Sequence, residues 1–387
     1  MSHSLENFDL YSVPSPSYVI DECQLEKNLQ ILADVQKRSG AKVLLALKAF
    51  SFFHAAPLIM KYLSGTCASG PYEARLGREE YGGEVHTYAA AYRPQEMAEV
   101  LALSNHVVFN SFNQWQQHKK QALEAQAARP ELSFGLRINP EHSEGAAAIY
   151  DPCAPCSRMG ITADKFNGED LTGISGLHFH TLCEQNFEPL ARTLDAIEQR
   201  FGDILPHLKW VNFGGGHHIT HESYQIEPLI DRIKAFSARH KVQVYLEPGE
   251  AIALNAGIFV SEVLDTVHNQ MDLAILDASA TCHMPDVLEM PYRPRITSSG
   301  EPHELAYTYR LGGPSCLSGD VIGDYSFAKP LKAGQRLMFE DMAIYTMVKN
   351  TTFNGIPLPT IVTTNPQKGT VNIVKSFTYN DFKMRLS

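Results

Sequence analysis

Over its first two thirds the chain repeats one pattern. A short, almost wholly apolar run is followed by a turn and then by a longer stretch with helical spacing of apolar positions. The runs fall at residues 43–48, 66–69, 85–88, 106–109, 133–138, 176–180, 209–213 and 242–246. Runs this short and this apolar read as strands buried on both faces, and most of the gaps are long enough for a crossover helix. The fold class expected is α/β, with a (β/α)8 TIM-like barrel over residues 25–264, since eight such units close without leaving a sheet edge. In that architecture chemistry gathers at the C-terminal ends of the strands. Lys48, Ser69, Arg137, His180, Gly214 and Glu247 all stand at or just after such ends.

Beyond about residue 264 the helical spacers disappear. Segments 271–276, 305–311, 335–340, 343–348 and 360–363 read as strands of a mostly antiparallel C-terminal β domain, residues 265–387. The strand-like opening at residues 15–21 is expected to bring residues 1–24 into that domain and make it discontinuous. Residues 139–158, with their prolines and cysteines, read as a long irregular insertion.

A length of 387 residues agrees with two domains. No apolar run approaches the roughly 20 residues of a membrane helix, and the first eleven residues lack the basic start and apolar middle of a signal peptide. A cytoplasmic protein without a membrane partner is therefore expected. Seven cysteines, an odd number without a regular framework, point to reduced thiols. A net charge of -10 argues against nucleic acid and mildly favours a cationic ligand.

The candidate chemistry begins with Lys48, which ends the run Leu44-Leu45-Ala46-Leu47. Desolvation lowers a lysine's pKa and yields the neutral amine that attacks carbonyls, and pyridoxal phosphate is the commonest permanent carbonyl partner of such a lysine. A lysine at a strand end also simply reaches solvent, so its companions decide. Gly214-Gly215-Gly216 follows an apolar strand, where bare amides can wrap a phosphate. Glu247-Pro248-Gly249 follows the last barrel strand, where a carboxylate can hold a protonated pyridine nitrogen. Leu177-His178-Phe179-His180 sends both histidines to one face. That spacing also suits a metal-dependent barrel hydrolase, with His217, His218 and His221 as further ligands. Cys153-x-x-Cys156 lacks a second thiol pair, and no structural metal is expected. Gly313-Pro314-Ser315-Cys316 sets a thiol among turn residues, suited to proton donation or to ordinary packing. Tyr345 offers a phenol to a phosphate oxygen.

In this order along nearly the whole chain, these motifs resemble the alanine-racemase-fold (fold type III) pyridoxal-phosphate decarboxylases, which include the ornithine, arginine and diaminopimelate enzymes. The most specific parts are Ala46-Leu47-Lys48-Ala49, Cys67-Ala68-Ser69, the glycine triplet, Glu247-Pro248-Gly249, Gly313-Pro314-Ser315-Cys316 and Tyr345-Thr346. The resemblance implies pyridoxal 5'-phosphate as cofactor, attached through Lys48, with His180 on its ring and Glu247 at its pyridine nitrogen. Arg137, Gly214, Gly215, Gly216 and Tyr345 complete the expected cofactor site. Cys316 and Asp320 would come from the neighbouring subunit of a homodimer with shared active sites. A non-catalytic carrier of the same cofactor would resemble the barrel alone and would not need the β domain that bears Cys316.

The departures from the family pattern bear on the substrate. Thr181-Leu182-Cys183-Glu184 stands where the ornithine and diaminopimelate enzymes have Gly-Ser, Glu250 where they have arginine, and Leu317 where they have an acid. Together with Cys282-His283-Met284-Pro285-Asp286, these resemble the branch acting on small amino acids with polyamine tails, as in spermidine biosynthesis. Glu250 and Asp286 are the carboxylates expected near the tail amines, with Asp320 also at the substrate. A diaminopimelate or ornithine enzyme is the alternative within the family.

Overall fold

A computed structural model describes residues 5–145 and 148–387. The chain divides into two compact units, residues 28–252 and residues 1–27 with 253–387. Strand β1 (Ser17–Asp21) belongs to the second unit. The first holds β2 (Lys42–Ala46), β3 (Gly65–Ala68), β4 (Glu84–Tyr88), β5 (His106–Phe109), β6 (Ser133–Arg137), β7 (Ile174–His178), β8 (Trp210–Asn212) and β9 (Gln243–Leu246). These pair in chain order, all parallel, and β9 returns to β2 to close the barrel. Every one of the eight expected runs is a strand, displaced by at most two residues.

The barrel interior is filled by matching one large side chain to two absent ones. Trp210 on β8 lies across β6 and β7 at Gly135 and Gly176, where an added Cβ would stand 2.3 and 2.1 Å from the indole ring. Leu44, Val108 and Tyr245 complete this buried layer, and the indole Nε1 donates to Ser133 Oγ at 2.8 Å. Outside, helix Phe187–Phe201 buries Leu190, Leu194, Ile197 and Phe201, spaced four, three and four apart as one helical face requires. Helix Ile226–His240 buries Leu229, Ile230, Ile233 and Phe236 in the same manner. Each such side chain contributes roughly 1.5–3 kcal/mol, so the outer ring holds the strand ends, and whatever they carry, in place.

The second unit adds β10 (Gly257–Asn269), β11 (Met271–Leu276), β12 (Ser299–Gly300), β13 (Tyr307–Gly312), β14 (Val321–Phe327), β15 (Arg336–Phe339), β16 (Thr360–Asn365) and β17 (Thr370–Lys375). Their sheet runs β12-β14-β13-β11-β10-β1-β16-β17, with β15 also on β10. Only the β1–β16 and β11–β13 pairs are parallel. Its core includes Tyr18, Phe259, Leu276, Leu311, Tyr325 and Phe339.

Two sequence-based expectations differ here. Residues 253–264 belong with the sheet unit, because β10 pairs with β1, β11 and β15. Residues 343–348 do not form a strand. Tyr345 adopts φ 54° and ψ −46°, and Thr346 N donates to Ile344 O at 2.5 Å, which makes a γ-turn of the rare strained hand leading into the short helix Thr346–Lys349. Among the described residues, no helix is long and apolar enough to cross a membrane.

Candidate active site

The C-terminal ends of the barrel strands surround a cavity lined by Lys48, Tyr88, Arg137, His178, His180, Gly215 and Glu247 among others. Lys48 lies two residues past β2, in a turn fixed by Ala46 N donating to Pro248 O and Leu47 N donating to Cys67 O, each at 3.1 Å. The side chain meets solvent through the cavity, yet the protein packed around its amine disfavours the charged form. Burial is the leading cause of a pKa below that of an ordinary lysine, and Arg137 lowers it further, against the opposing pull of Cys67 and Glu247.

Glu247 follows β9 directly. Burial alone would raise its pKa, but His178 Nε2 at 3.0 Å, the nearby His86 and Asn212 Nδ2 at 2.7 Å bring it down to about 2. The carboxylate is therefore an anion at neutral pH. His178 is itself buried, which lowers its pKa and leaves it a neutral donor.

His180 receives the Gly215 backbone N–H on Nδ1 at 2.9 Å. Burial, with the nearby charges of Lys48 and Arg137, keeps its pKa well below the usual histidine range, so the ring is neutral and carries its proton on Nε2. The glycine triplet sits against the His180 segment and Glu247. An added Cβ on Gly214 would come within 2.2 Å of Phe179 O, on Gly215 within 2.3 Å of Glu247 O, and on Gly216 within 2.0 Å of Leu182 O. Two of its amides are already engaged, Gly214 N with Asn212 Oδ1 and Gly215 N with His180. Arg137 lies over the Tyr88 ring, 4.6 Å from its centroid, and its Nη2 is 3.4 Å from His180 O.

Glu250, Asp286, Asp320 and Cys316 are each held by other residues of their own unit. Glu250 opens the short helix Glu250–Ala253 with its carboxylate 2.9 Å from His218 Nε2. On the sheet unit, Asp286 accepts from Lys349 Nζ at 2.5 Å. Asp320 is buried, with Ser279 Oγ donating at 2.8 Å and Ser315 N at 3.4 Å, so it ties down the turn that carries Cys316. Cys316 is exposed, and its amide donates to Asn354 Oδ1 at 2.8 Å. Glu250 and Asp286, the carboxylates expected near tail amines, each have a basic partner within their own unit.

The histidine cluster weighed for a metal is not one ligand set. His178 is spent on Glu247, His180 on Gly215, and His217 on Gly214 O at 3.1 Å. Among the described residues the group that does converge is Glu84, His86 and His106, with ligand atoms within 4.8 Å of one another. Lys42 already neutralises Glu84 there.

A family model described as the pyridoxal-dependent decarboxylase C-terminal sheet domain matches residues 17–343. The chain belongs to the pyridoxal-dependent decarboxylases. It is 42% identical over 384 residues to a carboxynorspermidine/carboxyspermidine decarboxylase of Campylobacter jejuni, covering 96% of this chain and 98% of the relative. It is 43% identical to a carboxyaminopropylagmatine decarboxylase of Synechocystis sp., covering 99% and 98%. The crystal structure of carboxynorspermidine decarboxylase complexed with norspermidine from Campylobacter jejuni matches with a TM-score of 0.88 at 40% identity, over 96% of this chain and all of the other.

Sequence reasoning missed two residues of this decarboxylase's cavity wall, His178 and Tyr88, and the Asn212 that supports Glu247 from behind it. Asn212 was visible as the polar position in Trp210-Val211-Asn212-Phe213, directly before the glycines. His178 was read as a core histidine or a metal ligand, and Tyr88 only as a strand end.

Proposed function

We propose that this chain is a pyridoxal 5'-phosphate-dependent carboxy-lyase that converts carboxynorspermidine and carboxyspermidine to norspermidine and spermidine. The observation that carries the substrate is the near full-length likeness to the Campylobacter jejuni relative. The cavity fits the cofactor on its own residues: a lysine of lowered pKa, an ionised carboxylate, a neutral imidazole, and glycines that leave no room for a Cβ.

Lys48 would attach the cofactor, Glu247 would hold its pyridine nitrogen, and His180 would lie on its ring, with Arg137 and the glycine segment around them. A carboxylate has about four lone-pair sites, so Glu247 keeps acceptor capacity after His178 and Asn212 are served. When bound, the cofactor supplies the sink for the electron pair left by departing carbon dioxide. Burial disfavours the charged form of Lys48, which would suit its amine to hold the cofactor's carbonyl carbon and to give way to the substrate's α-amine. Neutral His180 adds no positive charge beside Lys48 and Arg137. Glu250, shared with His218, serves as the anion for an amine of the substrate tail.

The active form in this reading is a homodimer in which the Cys316 thiol serves the neighbouring copy and returns a proton to the α-carbon. A second reading takes carboxyaminopropylagmatine, whose tail ends in a guanidine, on the equal likeness to the Synechocystis relative.

Carbon dioxide release from carboxynorspermidine, carboxyspermidine, carboxyaminopropylagmatine, diaminopimelate and ornithine tests this. The highest kcat/KM is expected for the first two. A clear preference for the guanidine substrate establishes the second reading, and release confined to diaminopimelate or ornithine overturns both.

A further inference from the structure

The Glu247 carboxylate is held from two neighbouring strands at one level of the barrel. His178 closes β7 and Asn212 closes β8, and the two are paired in register. Each donates to a different oxygen: His178 Nε2 to Oε2 at 3.0 Å and Asn212 Nδ2 to Oε1 at 2.7 Å. One donor per oxygen fixes the position and the plane of the carboxylate, which a single bond would leave free to rotate.

The His178 ring is clamped in turn. It stacks on Tyr88 with centroids 5.4 Å apart and planes at 23°, and Arg137 covers Tyr88 at 4.6 Å. The Tyr88 hydroxyl donates to Asn110 Oδ1 at 2.7 Å, which stops that ring from turning. His178 is 2% exposed, and its Nδ1 has no hydrogen-bond partner among the described residues. Burying a ring nitrogen without a partner costs free energy that a phenyl ring of similar size would avoid. The bond to Glu247 is what a histidine offers here and a phenylalanine does not.

We propose that His178 and Asn212 are positioning residues that hold Glu247 as a fixed anion at the cavity wall, with His178 kept in its donating orientation by Tyr88. Neither touches the reacting atoms; both act through Glu247. Besides Glu247 and His178, the charged and titratable groups facing the same cavity are Lys48, Cys67, His86, Tyr88, Arg137 and His180. The inference rests on the proposed function only for the purpose of the anion, which is to meet the cofactor's pyridine nitrogen.

The test uses the full chain with its glutamate side-chain carboxyls labelled with carbon-13, first free of cofactor. The Glu247 signal is assigned by its loss in Glu247→Gln, and its titration is followed in the native protein, His178→Phe, His178→Asn and Asn212→Leu. His178→Phe keeps a ring and removes the donor, and should raise the proton affinity of Glu247 at least roughly ten-fold, the weight of a hydrogen bond to a charged group. Asn212→Leu should do the same, and His178→Asn, which retains an N–H, should recover most of the loss. Thermal unfolding monitors folding, and the two sites give independent variants. An unchanged Glu247 titration in folded His178→Phe or folded Asn212→Leu overturns the proposal. Pyridoxal phosphate affinity is then measured on the same proteins, with a roughly ten-fold weakening expected in His178→Phe and recovery in His178→Asn. If the titration shifts while affinity stays the same even in Glu247→Gln, the positioning role stands and the cofactor reading of Glu247 fails.

Discussion

The backbone amide of Gly215 donates to Nδ1 of His180 at 2.9 Å. That bond fixes the tautomer of a buried imidazole and the angle at which its ring faces the cavity, so a segment expected to cradle phosphate also orients the histidine proposed to lie on the cofactor ring. Gly215→Ala would push a Cβ to 2.3 Å from Glu247 O and drive the amide off His180. Overpacking of this kind costs about 1–3 kcal/mol. We expect that loss in denaturant titration, together with weakened pyridoxal phosphate binding measured by equilibrium dialysis.

The Trp210 layer gives a prediction about the barrel alone. Gly176→Val places branched carbons where even a Cβ lies 2.1 Å from the indole. Strands on both sides leave the ring nowhere to move, so the loss should be at or above the upper end of the roughly 1–3 kcal/mol for overpacking. A Trp210→Leu change in the same chain should recover part of it, measured by the urea midpoint.

The barrel was legible because its strands are written locally: eight apolar runs with helical stretches between them. The turn at Tyr345 was not, since Ala343-Ile344-Tyr345-Thr346 has the aromatic and β-branched composition of a strand, and only the positive φ of Tyr345 breaks it. Strand Gly257–Asn269 was also hidden, because it is buried at one end and exposed at the other and shows no alternation. At the site, Lys48, His180, Arg137, Gly215 and Glu247 were found from strand ends and do line one cavity. Their supports were not found. The bonds from His178 to Glu247 and from Lys349 to Asp286 join residues 69 and 63 positions apart, and no local pattern encodes such a pairing.

His217 makes acid stability a readout of the glycine segment. It is buried, its Nε2 lies 3.1 Å from Gly214 O, and burial lowers its pKa from 6.5 to about 4. As pH falls below 6.5 the unfolded chain takes the proton first, so the folded state loses stability until its own histidine protonates near pH 4. The loss approaches about 3 kcal/mol by linkage. His217→Gln should flatten the dependence of unfolding free energy on pH between 6.5 and 4.

Glu250 is the expected anion for a tail amine, and His218 holds it at 2.9 Å until one arrives. A hydrogen bond between a substrate ammonium and a carboxylate is worth roughly 1.5–3 kcal/mol. Glu250→Gln should therefore raise KM for a polyamine-tailed substrate on the order of ten-fold or more, with kcat little changed, as loss of uniform binding requires. Steady-state kinetics with and without the distal amine in the substrate separates this from a general defect.

Lys48 is the proposed attachment point of the cofactor in the barrel cavity. Borohydride reduction of the cofactor-loaded protein, followed by peptide mass mapping, reads the attachment point directly. One pyridoxyl-modified peptide, containing Lys48, is expected, and no modified peptide in Lys48→Ala. Modification at a different lysine, or none in the native protein, would contradict this assignment.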